Sequence, residues 1–108
     1  MANKNTGSIW TLKWSDILST TVKIEYTINE IDYTVISLSA TNHNGPEFGQ
    51  GYYNWAIDVL PVENLIVRIS DNEYPDMYVD FDPVNIVERP EYSFSYNKSS
   101  FRLGFRIV

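Results

Sequence analysis

The chain contains no cysteine among its 108 residues, which excludes a disulfide framework, a thiolate nucleophile and a cysteine-ligated zinc site. It has a single histidine, and it contains neither a Gly-x-Ser-x-Gly nucleophile elbow nor a complete dinucleotide fingerprint. No apolar run approaches the ~18 residues of a membrane span, and the polar N-terminus is not followed by the apolar region of a signal peptide. We therefore expect a non-enzymatic cytoplasmic protein that does not bind a membrane.

Basic residues are also few, with eight Lys and Arg against fourteen Asp and Glu. Nucleic-acid binding needs clustered positive charge to neutralise phosphates, so we expect no direct contact with nucleic acid. Hydrophobic residues make up 44% of the chain and charged residues 20%, which is typical of a folded globular protein. We predict a single domain over residues 1–108, with residues 1–8 flexible, and the composition does not indicate an oligomeric state.

Aromatic residues reach 15%, and they occur in short stretches where apolar and polar residues alternate. Period-two alternation is typical of half-buried strands. The stretches are marked by Trp10, Leu12 and Trp14; Val22, Ile24 and Tyr26; Tyr53, Trp55 and Ile57; Leu65, Val67 and Ile69; and Met77, Val79 and Phe81. With turn residues between them and no long helical pattern, the sequence predicts a single antiparallel β-sandwich of about eight or nine short strands, and a partly open β-barrel is the alternative.

The strand that starts near Val22 and the one that follows it form a hairpin with two possible registers. A two-residue Asn-Glu loop would place Ile24 opposite Val35. A longer loop would place Ile24 opposite Leu38 and Val22 opposite Ala40. We favour the longer loop because tight two-residue turns prefer glycine, which is absent here.

Two further features concern the C-terminal third of the chain. Prolines bracket residues 84–89, and because proline cannot donate to a strand ladder, we expect this run at a sheet edge. Aromatic residues alternate on both sides of residues 97–100, which predicts a closing hairpin over residues 92–105.

All of the net charge lies in residues 71–91, the acidic segment, where seven acids and one base sum to the whole protein's formal charge of -6. Such a concentration of charge attracts a basic protein surface and imitates nucleic-acid phosphates. Small acidic inhibitors, immunity proteins and phage counter-defence proteins use this physics. We therefore expect an interaction module whose partner-binding residues are Asp71, Glu73, Asp76, Tyr78, Asp80 and Asp82.

Calcium is a second use for the same carboxylates. Asp76, Asp80 and Asp82 lie on or near one strand, but calcium requires six to eight converging oxygens, and the glycine-containing EF-hand loop is absent. We predict no cofactor and assign no metal ligands, with calcium as the alternative.

A polar loop over residues 41–51 offers an alternative ligand site. It contains three of the five glycines and the only histidine, and long ordered loops are often functional. Exposed aromatic side chains beside such a loop can stack on sugar rings. The alternative hypothesis is therefore a carbohydrate-binding module that uses Asn42, His43, Asn44, Phe48, Gln50 and Tyr52.

Overall fold

The computed structural model describes residues 1–89. This part of the chain is entirely β-structure and loops, as the alternation predicts. The strands are β1 (Ala2–Asn5), β2 (Ile9–Trp14), β3 (Thr21–Thr27), β4 (Tyr33–Thr41), β5 (Gly51–Ala56), β6 (Val62–Asp71), β7 (Tyr78–Asp80) and β8 (Val84–Val87). Over the described range, no helix has the length and apolar character needed to cross a membrane.

The eight strands form two sheets. The larger has the order β1-β8-β6-β3-β4, with β7 also paired to β6, and the smaller contains β2 and β5. Two sheets that face each other make a sandwich-like arrangement and not a closed barrel, which confirms the predicted fold class. One ladder departs from the antiparallel prediction, because β1 pairs with β8 in parallel.

The core lies between the two sheets and is built from the inward positions of the alternating strands. Leu12 and Trp55 come from the smaller sheet, and Ile24, Val67 and their neighbours come from the larger one. Partly buried Tyr26 of the larger sheet stacks on Trp55 of the smaller, with ring centroids 5.7 Å apart. Each fully buried large apolar side chain contributes roughly 1.5–3 kcal/mol relative to its exposed state.

The register of the β3–β4 hairpin agrees only in part with the longer-loop prediction. Val22 pairs with Ala40 as expected, but Ile24 pairs with Ser37 and not with Leu38. The prediction for Ile24 was wrong because register shifts on both sides of this residue place extra residues in β4. Such bulges disrupt the ladder locally, so one hairpin does not keep a constant register.

The hairpin loop is closed by a side chain in place of glycine. The Asn29 carboxamide oxygen accepts hydrogen bonds from the backbone N–H groups of Ile31 and Asp32, both at 2.9 Å. Glu30 takes a left-handed conformation with φ 62°, and the hydroxyl of Thr27 accepts its N–H at 2.8 Å. These local hydrogen bonds satisfy the backbone N–H groups of a loop that is longer than two residues.

The predicted edge position of residues 84–89 was wrong. β8 lies inside the larger sheet, between β6 and β1, because Ala2–Asn5 form a strand that no apolar pattern announces. β1 is polar and pairs with β8 through its backbone, with Ala2 opposite Val84. One side-chain bond supports the pair, from the Asn85 amide to the Asn3 carboxamide oxygen at 3.4 Å. The flexibility expected of residues 1–8 stays a prediction, and the hairpin predicted over residues 92–105 lies outside the described residues.

Candidate functional site

Asp71, the first residue of the acidic segment, is a buried structural carboxylate with 4% of its surface exposed. It ends β6 and accepts the backbone N–H groups of Glu73 at 2.8 Å and Tyr74 at 3.1 Å, which organises the following turn. Hydrogen bonding from the side chain of Ser19, and then these backbone bonds, hold the pKa of Asp71 below its ordinary value of 3.8, although burial acts against them. Its charge stabilises the fold internally.

Asp80 is also engaged within the protein. Its two carboxylate oxygens accept hydrogen bonds from Nε and Nη2 of Arg68, at 2.7 and 3.0 Å. The guanidinium carbon lies 3.8 Å from the ring centroid of Tyr78 and 4.9 Å from that of Tyr33. Hydrogen bonding and charge attraction from Asp80 raise the pKa of Arg68 above its ordinary value. Asp80 is therefore paired with a cation of its own sheet.

The other three predicted carboxylates, those of Glu73, Asp76 and Asp82, are exposed. Within residues 1–89, none of them forms a salt bridge. They therefore present negative charge to solvent.

Met77 and Val79 do not lie in the core as their alternation suggests. They are 59% and 38% exposed. They line a groove instead. The apolar side chains in β7 and just before it are thus open to solvent.

This groove has a volume of about 750 Å³ and lies between β7 and the end of the smaller sheet. Met77, Tyr78 and Val79 form one wall, and Trp14 and Tyr52 belong to the opposite side. The remaining lining residues are Lys13, Ser15, Asp16, Ile17, Gly45, Pro46, Gln50 and Gly51.

Gly51 sets the shape of the groove beside Trp14. The two residues are partners in the β2–β5 ladder, and a Cβ at position 51 would lie 2.4 Å from Cζ2 of the indole. No side chain larger than hydrogen fits there unless the indole moves. Glycine at this position therefore lets the Trp14 ring lie against the β5 backbone.

Asn42, from the polar loop, is buried and joins two connections of the fold. Its carboxamide oxygen accepts the Trp14 indole N–H at 2.9 Å, and its NH₂ group donates to the carbonyls of Ile17 at 2.6 Å and Ser19 at 2.7 Å. All of its strong contacts are used inside the protein, so Asn42 holds the β2–β3 connection and is not free for a ligand.

His43 and Asn44 also build the loop. The N–H of Gly49 donates to Nδ1 of His43 at 2.9 Å, so Nε2 carries the proton that reaches the Leu18 carbonyl at 3.1 Å. The Asn44 carboxamide bonds both the N–H and the carbonyl of Tyr52, at 2.9 and 3.2 Å. Both side chains therefore form hydrogen bonds with backbone groups that have no strand partner at these positions.

The aromatic residues in and beside this loop remain accessible. Phe48 is 76% exposed and stacks on the His43 ring at 4.2 Å, and Tyr52 is 44% exposed. Gln50 and Tyr52 line the groove, whereas Phe48 does not. The groove therefore brings together Tyr78 from the predicted acidic site with two residues from the alternative site.

Sequence reasoning treated these two sites as separate, and it missed the contribution of Trp14, Met77 and Val79. The alternating pattern assigns each of them to the core, and nothing local marks them as lining an opening. The residues that meet here come from three regions of the chain, so only their long-range packing reveals the groove.

Within residues 1–89, no group of three or more His, Cys, Asp or Glu side chains is arranged to hold a metal ion. No protein-family model, curated protein or solved structure matches the chain. The fold and the site define an all-β, sandwich-like protein with a partly apolar groove beside exposed carboxylates.

Proposed function

We propose that this protein is a non-enzymatic cytoplasmic interaction module that binds a basic protein surface, as an inhibitor or immunity-type protein or a phage counter-defence protein would. The observation that supports this most directly is the position of the groove. Its wall is formed by Met77, Tyr78 and Val79, and these residues belong to the segment that carries the entire net charge.

This arrangement has the anatomy of a protein-binding surface. Interfaces combine an apolar centre, often with Tyr, Trp or Met, and a polar rim that controls association rate and partner choice. Tyr78 and Met77 supply the apolar centre, and the exposed Asp76, Asp82 and Glu73 supply negative charge in the same part of the chain. Asp71 and Asp80 support this surface from within.

A carbohydrate-binding function is the second candidate. It is favoured by the exposed ring of Tyr52, which lies in the groove with Gln50 and Trp14, since tyrosine and tryptophan present flat apolar faces on which a sugar ring can stack. Binding of this kind would be insensitive to salt and would change Trp fluorescence. The variant Tyr52→Ala would abolish it, whereas removal of the exposed carboxylates would leave it intact.

The primary proposal is tested with two variants of equal charge, each used as bait beside the wild-type protein. One changes the exposed acids of the acidic segment that flank β7 in sequence (Glu73→Gln, Asp76→Asn, Asp82→Asn), and its matched control changes three exposed acids elsewhere (Glu30→Gln, Asp58→Asn, Glu63→Gln). We expect a basic protein to bind wild type and the control, to elute at moderate salt, and to be lost from the first variant.

The captured protein is then purified and its Kd is measured at several salt concentrations. Each exposed carboxylate at a rim contributes about 0.2–1 kcal/mol, so the triple change should weaken binding by roughly 3- to 150-fold and flatten the salt dependence. If both triple variants bind with the Kd of wild type, or if both bind more weakly by the same factor, the acidic surface does not direct binding and the proposal fails.

A further inference from the structure

The outer edge of β7 has backbone groups directed away from β6, its partner strand within residues 1–89. On the inner side, the Met77 carbonyl accepts the Asp71 N–H and the Phe81 N–H donates to the Val67 carbonyl, both at 2.9 Å. In an antiparallel ladder, alternate residues direct both backbone groups to the same neighbour. The intervening residues Tyr78 and Asp80 therefore direct their N–H and C=O groups outward, and no strand of the described chain pairs with them there.

This outward edge borders the groove. Met77, Tyr78 and Val79 line it, while the opposite wall is formed by the end of the β2–β5 ladder. The groove, about 750 Å³ in volume, is therefore bounded on one side by a strand edge whose backbone donors and acceptors pair with no other strand of residues 1–89. An edge of this kind pairs readily with a further extended chain.

The charge beside the edge indicates the chemistry of that chain. The exposed Asp76 and Asp82 lie just before and just after β7 in sequence, and Asp16 lines the groove. The basic residue lining the groove within the described chain is Lys13. A segment with alternating apolar and basic residues would direct its apolar side chains into the groove and its basic ones toward Asp76 and Asp82.

We propose that the basic partner binds through an extended segment that adds as a strand to the outer edge of β7, an inference that rests on the proposed function. Backbone pairing with Tyr78 and Asp80 supplies affinity, and the groove and the acids select the side chains. This is the strand-addition mode of peptide recognition, in which backbone bonds bind and alternate side chains discriminate.

The probe is a fluorescein-labelled heptapeptide of alternating valine and lysine, with valine at both ends, titrated into the full-length protein by anisotropy. Two analogues carry N-methyl groups on the odd or on the even residues. They keep the charge and side chains but lose the donors of one strand edge. We expect at least one analogue to bind about tenfold more weakly, since one lost hydrogen bond corresponds to about that factor. Equal affinity of the three peptides would overturn the inference.

Two protein variants test the same edge. Tyr78→Pro removes an N–H that faces away from β6, so it blocks strand addition without breaking the β6–β7 ladder. Tyr78→Thr keeps the N–H and removes the ring, so it is the matched control. We expect the proline variant to bind the unmodified peptide about tenfold more weakly than the threonine variant. Equal binding by the two variants would show that the edge is not used.

The two proposals fail in different ways. If the Glu73/Asp76/Asp82 variant binds the peptide weakly but the proline variant binds like its threonine control, the charged surface is used and strand addition is wrong. If the charge variant binds like wild type, the proposed function fails. Hydrogen exchange supplies an independent check, because slow exchange of the Tyr78 and Asp80 amides in the free protein would mean that the edge is already paired, which contradicts the inference.

Discussion

Arg68 holds Asp80 in a two-pronged hydrogen bond, with Nε 2.7 Å from Oδ1 and Nη2 3.0 Å from Oδ2. The two residues are also direct partners in the β6–β7 ladder. Since β7 contains only three residues, this side-chain pair and the stacking of Arg68 on Tyr78 strengthen the attachment of β7. The position of the groove wall therefore depends on the ion pair between Arg68 of β6 and Asp80 of β7.

Replacement of Arg68 by alanine should lower the free energy of unfolding by about 1 kcal/mol, because a partly exposed ion pair and a cation–π contact each contribute modestly. The larger effect should be local, with faster hydrogen exchange in β7. Arg68→Lys is the control, since it keeps the charge but loses the fork. The free energy of unfolding of this lysine variant, measured by urea titration, should lie between those of wild type and the alanine variant. Unchanged exchange in β7 would contradict this role.

Asp71 should make stability depend on pH in the acidic range. Because its pKa is lowered in the folded state, its contribution is fully present above the ordinary value of 3.8 and is lost as the pH falls toward the lowered value. Asp71→Asn should cost about 1.5–3 kcal/mol at pH 7, typical of hydrogen bonds to a charged group. Urea unfolding from pH 7 down to pH 3 should show a smaller loss of stability for the variant than for wild type. If the free energy of unfolding falls equally with pH in both proteins, Asp71 is not the source of the pH dependence.

Asn42 should be among the most sensitive polar positions. Asn42→Ala leaves the Trp14 indole N–H and two backbone carbonyls without their partner, and one buried unsatisfied group costs about 1–3 kcal/mol. We expect a loss of about 2–4 kcal/mol in urea unfolding followed by tryptophan fluorescence. Asn42→Asp should be at least as damaging, because a carboxylate cannot donate to the carbonyls of Ile17 and Ser19. A neutral effect of either change would refute the bonds described.

Gly51→Ala should destabilise the protein by about 1–3 kcal/mol through overpacking against Trp14. The backbone at Gly51 does not itself require glycine, since its φ is not positive, so the cost should come from the indole. A double-mutant cycle with Trp14→Phe checks this cause. The alanine change should cost less in the Phe background, and equal costs in both backgrounds would point to a backbone effect.

The strands with apolar alternation could be predicted because burial of one face imposes period two locally. β2, β3, β5 and β6 all lie where this pattern occurs, and Leu12, Ile24, Trp55 and Val67 are buried as expected. The exposed aromatic residues Phe48 of the loop and Tyr52 at the start of β5 could also be predicted. β1 could not be found in this way, because its polar residues pair through the backbone and bury little.

The candidate site was only partly predictable. The sequence located the acidic segment, but it could not separate the exposed Asp76 and Asp82 from the buried Asp71 and the paired Asp80. That distinction depends on partners distant in the chain, such as Ser19 and Arg68. In the same way, polar Asn42, His43 and Asn44 fit a binding loop by composition, whereas their contacts show that they support it.

By itself, the sequence determined the all-β class, most strand positions and the confinement of net charge to residues 71–91, because alternation and charge are properties of neighbouring residues. Tertiary structure alone decided the bulged β3–β4 register, the interior place of β8 and the meeting of Trp14, Tyr52 and Tyr78 around one groove. These features depend on which distant backbone groups pair and which side chains then fill the space between the sheets. Contacts between residues far apart in the chain produce no local periodicity, so the sequence pattern does not predict them.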